Sequence, residues 1–157
     1  MSLSATLAGQ YRKVYTGGNW TDVNLNQVLA DVDWKMATAK VTSFNSILAL
    51  TYHIHYFIHA MLQVLEGRPL DAHDKFSFDH PAVNNEEDWQ QLQETTRTEV
   101  LQAAALIEQM PEEKLWENFF GEKYGSWYNN IQGTIEHSYY HLGQIVIIKK
   151  MLKAQQL

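Results

Sequence analysis

The chain has 157 residues, of which 45% are hydrophobic and 19% charged, so its composition is that of a globular protein and not of a disordered one. Its formal net charge is -6 and its basic residues are scattered, which predicts no nucleic-acid partner. Cysteine is absent, so disulfides and cysteine-ligated zinc are excluded, and a transition metal has to be held by imidazole or carboxylate.

Length and hydropathy also bound the domain organisation and the location. The length fits one domain over residues 1–157. No apolar run reaches the roughly 18 residues that a membrane helix needs. The N-terminal stretch lacks the basic start and apolar centre of a secretory signal. We therefore expect no membrane partner and a cytoplasmic location.

The first half of the chain predicts two long helices. One covers 4–15, with Ser4 as a candidate N-cap and Gly17-Gly18 as its stop, and a short helix follows over 24–32. The second long helix covers 43–66, and a long polar connection over 69–85 follows it. Apolar residues at steps of three and four give this second helix an inward stripe, which consists of Ile47, Leu50, Ile54, Phe57, Ile58, Met61 and Leu65.

The second half predicts two more long helices, over 85–109 and 128–154, separated by an irregular segment over 112–127. Asn84 or Asn85 caps the third helix, whose inward face carries Trp89, Leu92, Thr96, Val100, Ala103 and Ile107. The predicted fold class is therefore an all-α four-helix bundle, in which the long connection between the second and third helices can cross the bundle. We expect four loop aromatics to close the ends of the core: Trp20, Trp116, Trp127 and Tyr128.

The fourth predicted helix carries two histidines at metal-ligand spacing. His137 and His141 are four apart, which places them on one helix face about 40° apart in projection, where two imidazoles can bind one ion. The competing interpretation is a pair of half-buried polar residues. His141 falls inside the apolar stripe of this helix and His137 at its edge. Buried imidazoles without a partner are costly, and this favours the metal.

Two familiar metal-site types are excluded. Ser138 stands where the zinc peptidase motif His-Glu-x-x-His has its general-base Glu. A di-iron carboxylate bundle needs Glu-x-x-His motifs on two helices, and the predicted helices lack them.

The second predicted helix can supply a third ligand from its cluster of three histidines. Its stripe makes His53 the better inward candidate and His55 the second, while His59 is expected at the surface. Three imidazoles with an open position are typical of a catalytic zinc site. A second site in the loop, formed by His73, Asp74, Asp79 and His80, is a weaker alternative because it has no regular scaffold.

Three further residues are candidates for the pocket around the metal, since each lies seven positions from a predicted ligand and shares its helix face. Gln144 can orient a ligand from outside the metal's own shell, and a solvated amide is an equally open interpretation. The other two pocket candidates are Ser46 and Asn130.

Two segments together resemble the DinB-like superfamily, which includes bacterial thiol-dependent transferases. They are the run from Ser46 to His53 and the run from His137 to Gln144, in which His-x-x-x-His is followed closely by Gly-Gln. The resemblance covers essentially the whole chain. It implies a bundle of up-down-down-up order in which His53, His137 and His141 bind one divalent ion, zinc or nickel. The activities of the superfamily vary, so the resemblance implies no single reaction.

Two functions follow as hypotheses. The first is a metal-dependent enzyme that transfers a low-molecular-weight thiol to a small molecule, or hydrolyses one, because a metal on three imidazoles lowers the pKa of a bound thiol or water. No Asp or Glu is evident near the triad as a general base. The second is a non-catalytic, metal-containing structural or stress-associated bundle, with a homodimer through an apolar helix surface.

Overall fold

The computed structural model describes residues 2–155, and this part of the chain is helical without any β-strand. Six α-helices occur in it, and an isolated β-bridge joins Asn118 to Ser126. The helices are α1 (Leu3–Thr16), α2 (Leu25–Leu29), α3 (Trp34–Thr38), α4 (Ile47–Leu65), α5 (Glu86–Glu108) and α6 (Trp127–Ala154). The all-α prediction is confirmed. None of the helices among the described residues combines the length and the hydropathy that a membrane crossing requires.

Polar side chains fix where each helix begins. Ser46 accepts a hydrogen bond from the Ala49 amide at the start of α4, and Ser126 accepts one from the Asn129 amide at the start of α6. Such caps satisfy amides that have no partner inside the helix. The remaining caps are Ser2, Asn24, Asp33 and Asn85.

The core lies between the four longer helices. α1 and α4 each pack against both α5 and α6. α4 is the most apolar of them. It buries residues outside the predicted stripe, such as Leu48 and Leu62, because it contacts a helix on either side. Phe57 and Leu65 of the stripe are only half-buried. Trp89 of α5 is fully buried, and its indole N–H donates to the Val32 carbonyl at 2.7 Å. This bond ties α5 to the segment between α2 and α3.

Several predicted helix boundaries are corrected. Ser4 does not cap α1, because its buried hydroxyl donates to the Met110 carbonyl and the cap is Ser2. α3 was not predicted, since only Asp33 marks its start and five residues are too few to show a period. α4 begins at Ile47 and not at 43, because the preceding residues form a turn in which Thr42 has a φ of 50°.

The expectation that loop aromatics close the core is wrong for two of them. Trp20 is fully exposed and Trp116 is 63% exposed. Trp20 lies in the turn that follows Gly17 and Gly18, both at positive φ, and it borders a surface cleft between α1 and α6 without entering the core. Trp116 stacks on the outer side of Tyr128, with ring centroids 5.2 Å apart. Trp127 is buried as predicted.

Candidate metal centre

Three histidines meet between α4 and α6. The Nε2 atom of His137 lies 3.0 Å from Nε2 of His53 and 3.1 Å from Nε2 of His141. The ligand atoms of the three side chains all lie within 4.8 Å of one another, so the group is close enough to hold one metal ion. Nitrogen ligands of a tetrahedral zinc ion stand about 3.3 Å apart, given zinc–nitrogen bonds of roughly 2.0–2.1 Å. Small side-chain shifts would therefore bring this cluster to coordination geometry.

Hydrogen bonds from outside the cluster fix two of the three imidazole tautomers. The Ser77 hydroxyl donates to the Asp74 carbonyl at 2.6 Å, so its oxygen is left to accept from Nδ1–H of His53 at 2.8 Å. The amide oxygen of Gln144 accepts from Nδ1–H of His141 at 2.7 Å. With the proton on Nδ1, each ring turns the lone pair of Nε2 towards the cluster centre. This is how metal-binding histidines are oriented in proteins.

His137 completes the cluster without such a partner. Its Nδ1 is buried and makes no hydrogen bond among the described residues. Nε2 of His137 faces the lone pairs on Nε2 of His53 and of His141. If Nε2 of His137 carries a proton, it can donate that proton to one of the two neighbours at a time. A divalent cation would satisfy all three nitrogens together, which a proton cannot do. The donor set therefore fits a metal ion such as zinc, whose identity stays a prediction.

The electrostatics of the cluster favour neutral imidazole. Burial, and then the nearby His141 and His53, lower the pKa of His137 to about 4. Burial and the nearby His141 also lower the pKa of His53, against the opposing effects of Ser77 and Asp74. Only the neutral imidazole ligates metals, so both rings are in the binding form near neutral pH.

Aromatic rings shield the cluster from solvent. Phe78 stacks on His53, with centroids 4.0 Å apart and planes 8° from parallel. Phe57 meets the rings of His53 and His137 edge-on at 5.1 and 4.8 Å. Tyr140 approaches His141 in the same manner at 4.9 Å, but it is itself 65% exposed and adds little shielding. His53 is 4% exposed and His141 9% exposed, whereas His137 is half-buried, so the site is partly closed to solvent.

The long connection between α4 and α5 supplies residues that sequence reasoning missed. Ser77 and Phe78 contact His53 directly, and the Asp74 carboxylate lies 3.4 Å from the Ser77 hydroxyl oxygen. An acidic residue therefore stands close to the triad, contrary to expectation. The sequence signal for these residues was the unusual length of the connection, with no periodicity to say which side chains turn inward.

The other predicted site residues have mixed positions. Gln144 contacts His141, in agreement with the interpretation in which it orients a ligand. Ser46 serves as the N-cap of α4, and the Asn130 amide donates to the carbonyls of Tyr124 and Ser126. His55 does not join the triad. His59 has 49% of its side chain exposed, as predicted. The predicted pocket roles of Ser46 and Asn130 stay predictions.

Two clefts border residues that touch the triad. One of about 470 Å³ includes Gln144 and is otherwise largely apolar, with Phe44, Leu50, Ile147 and Met151 on its walls. A smaller one of about 180 Å³ lies beside Phe57 and extends to Asn130 and Tyr124. The larger cleft has the size of a small-molecule site.

Comparisons of the chain with family models, curated proteins and solved structures find no match.

Proposed function

We propose that this protein is a divalent-metal-dependent enzyme of the DinB-like superfamily, which transfers a low-molecular-weight thiol to a small electrophile or hydrolyses a small substrate. The observation that carries the proposal is the convergence of three imidazole Nε2 atoms, two of which have their lone pairs turned inward by Ser77 and Gln144. His53, His137 and His141 would hold one zinc or nickel ion. When bound, the ion lowers the pKa of a thiol or water that it ligates and so supplies a nucleophile near neutral pH.

The proposed fold is a four-helix bundle of up-down-down-up order, and contacts along the helices support it. Ser4 bonds Met110 while Tyr15 bonds Gln93, so residue numbers rise along α1 as they fall along α5. Such a pattern is that of antiparallel neighbours.

Contacts in two further helix pairs, α4 with α5 and α4 with α6, support the rest of the up-down-down-up order. Leu48 shares a cleft with Glu87, and His59 bonds Glu99, so numbers rise together along α4 and α5. Leu50 instead shares a cleft with Ile147, while Met61 shares one with Asn130, so α4 and α6 run in opposite directions.

The chain's own residues supply binding and shielding in this proposal. The apolar cleft beside Gln144 is the proposed site for the electrophile, because its Phe44, Ile147 and Met151 walls suit an apolar or aromatic group. Gln144 links this cleft to His141 through a single hydrogen bond. Phe78 stacks on His53 and Phe57 packs edge-on against His53 and His137, and excluding water there strengthens electrostatic interactions at the site.

The first test measures metal and turnover together. We expect about one zinc or nickel ion per chain at the triad in gently purified protein, and its loss in a His137→Ala/His141→Ala double variant. The loaded protein is then assayed with a small thiol and a chromogenic aryl halide, where the thiol sulfur forms the new carbon–sulfur bond, halide leaves and the thiol proton passes to solvent. A chromogenic ester tests the hydrolytic alternative.

A matched control and three outcomes make this test decisive. His73→Ala removes a histidine whose side chain is 64% exposed and whose ring pairs with Asp71 and not with the triad, and it should keep metal and turnover. Turnover that disappears only in the double variant supports the proposal. Metal binding without turnover, together with a melting temperature that drops on chelation, favours the non-catalytic metal-containing bundle. Unchanged metal content in the double variant would end the triad hypothesis.

A further inference from the structure

A second group of side chains with metal-ligand chemistry lies on the other side of α4. His55 and His59 are four residues apart, and both turn towards Glu99 of α5. The Nε2 atom of His55 is 2.9 Å from Oε2 of Glu99, and Nδ1 of His59 is 3.0 Å from Oε1 and 3.1 Å from Oε2. The three ligand atoms lie within 4.8 Å of one another.

This group shares no residue with the triad and faces another helix. His53 and His55 are two positions apart, so their side chains leave α4 on nearly opposite sides, at about 200° in projection. His53 meets α6, whereas His55 meets α5. A ligand bound at Glu99 would therefore not displace one bound at the triad.

The surroundings of the group suit a cation. Among residues 2–155, the salt-bridge partners of the Glu99 carboxylate are His55 and His59, with no Lys or Arg. Glu99 and His55 each have 15% of the side chain exposed, while His59 has 49% exposed. A half-open edge beside two sheltered ligands provides a path of entry for an ion.

We propose that His55, His59 and Glu99 form a second divalent-metal site, independent of the triad. Two imidazoles and one carboxylate make a ligand set that zinc uses in catalytic sites with an open fourth position. Imidazole suits zinc, nickel, cobalt and copper, whereas magnesium and calcium prefer oxygen alone. The class of ligand is therefore a borderline transition-metal ion.

The hydrogen bonds predict that this site is the weaker of the two. In the triad, His53 and His141 already turn lone pairs to the centre. At the second site both histidines donate N–H to Glu99 through the nitrogens that would bind the metal, so each ring must move its proton to its other nitrogen. The buried Nδ1 atoms of His55 and His137 both lack a partner among the described residues, so this cost falls on both sites alike. The difference is His59, whose proton must also leave a hydrogen bond to a carboxylate, and the loss of such a bond weakens binding by about tenfold or more.

Zinc titration of the chelator-stripped protein tests the proposal. We expect two equivalents to bind, the second about tenfold or more weaker than the first. Glu99→Gln and His59→Ala should each lose the weaker equivalent and keep the tighter one. The His137→Ala/His141→Ala double variant should do the reverse, and His73→Ala should keep both.

The outcomes separate a metal site from a simple contact between helices. If Glu99 only clamps α4 to α5, then Glu99→Gln lowers the melting temperature and leaves the zinc stoichiometry unchanged, which would overturn the proposal. Binding of a single equivalent by the native protein would do the same, as would the loss of both equivalents in the double variant. Excess Mg²⁺ should not compete for the weaker equivalent, and competition would overturn the assignment to a transition metal. The His137→Ala/His141→Ala double variant tests the two sites separately, because zinc that it still binds cannot be held by the triad.

Discussion

Ser77 provides the sharpest test of the triad, because it acts on His53 from the connection between α4 and α5. Its side chain is fully buried and accepts the Nδ1–H of His53 while donating to the Asp74 carbonyl. Ser77→Ala leaves that N–H buried without an acceptor, which costs about 1–3 kcal/mol. The same change frees the His53 ring to turn its proton to Nε2, where it blocks a metal.

We expect Ser77→Ala to weaken zinc affinity by about 10- to 100-fold, the range found when an orienting partner of a metal-bound histidine is lost. Competition against a chromophoric chelator measures the dissociation constant directly. The melting curve of the metal-free variant then tells whether the fold survives the change.

Ser138→Ala is the matched control. Ser138 is also a buried serine, next to His137 in sequence, but its hydroxyl donates to the Thr134 carbonyl of its own helix and touches no triad nitrogen. Its zinc affinity should stay within about twofold of the native protein, because no orienting bond is lost. Native affinity in Ser77→Ala would refute the reasoning, since Ser77 would then not set the tautomer of His53.

Further predictions concern pH, shielding and the core. The pKa of native His137 is lowered to about 4 from 6.5, so the unfolded chain takes up a proton first. The free energy of unfolding of the metal-free protein should therefore fall as the pH drops from 6.5 towards 4. The fall should be smaller in His137→Ala, and urea titrations at several pH values measure both. Phe78→Ala removes the ring stacked on His53 and should speed zinc loss to a chelator while destabilising the fold by about 1–3 kcal/mol; an unchanged rate would count against shielding. Trp89→Phe deletes the bond to the Val32 carbonyl and should destabilise by about 1–3 kcal/mol in denaturant titrations, with native stability contradicting its anchoring role.

The helices were predictable because their signals are local. The long α5 and α6 begin within one residue of the predicted starts, at caps or first-turn residues that the sequence displays. The errors fall where local signals compete or are too short. Ser4 was predicted as the cap of α1, and only its tertiary bond to the Met110 carbonyl shows that Ser2 caps the helix instead; the five-residue α3 shows no period.

The candidate site divides in the same way. The pairing of His137 with His141 follows from their spacing on one helix, so the sequence by itself determined it. The choice of His53 over His55 depends on how α4 is rotated between α5 and α6. Helix periodicity favours His53 only because this residue lies nearer to the apolar stripe of α4.

Only the tertiary structure decided what surrounds the histidines. Ser77 and Phe78 reach His53 because the irregular connection between α4 and α5 passes beside it. Glu99 of α5 contacts His55 and His59 of α4 although it lies more than forty residues from His55 in the sequence. Such contacts leave no periodic trace, because they depend on packing between segments and not on backbone geometry within one. The sequence therefore determined the helices and the spacing of their ligands, while packing decided which rings face one another and which protons they carry.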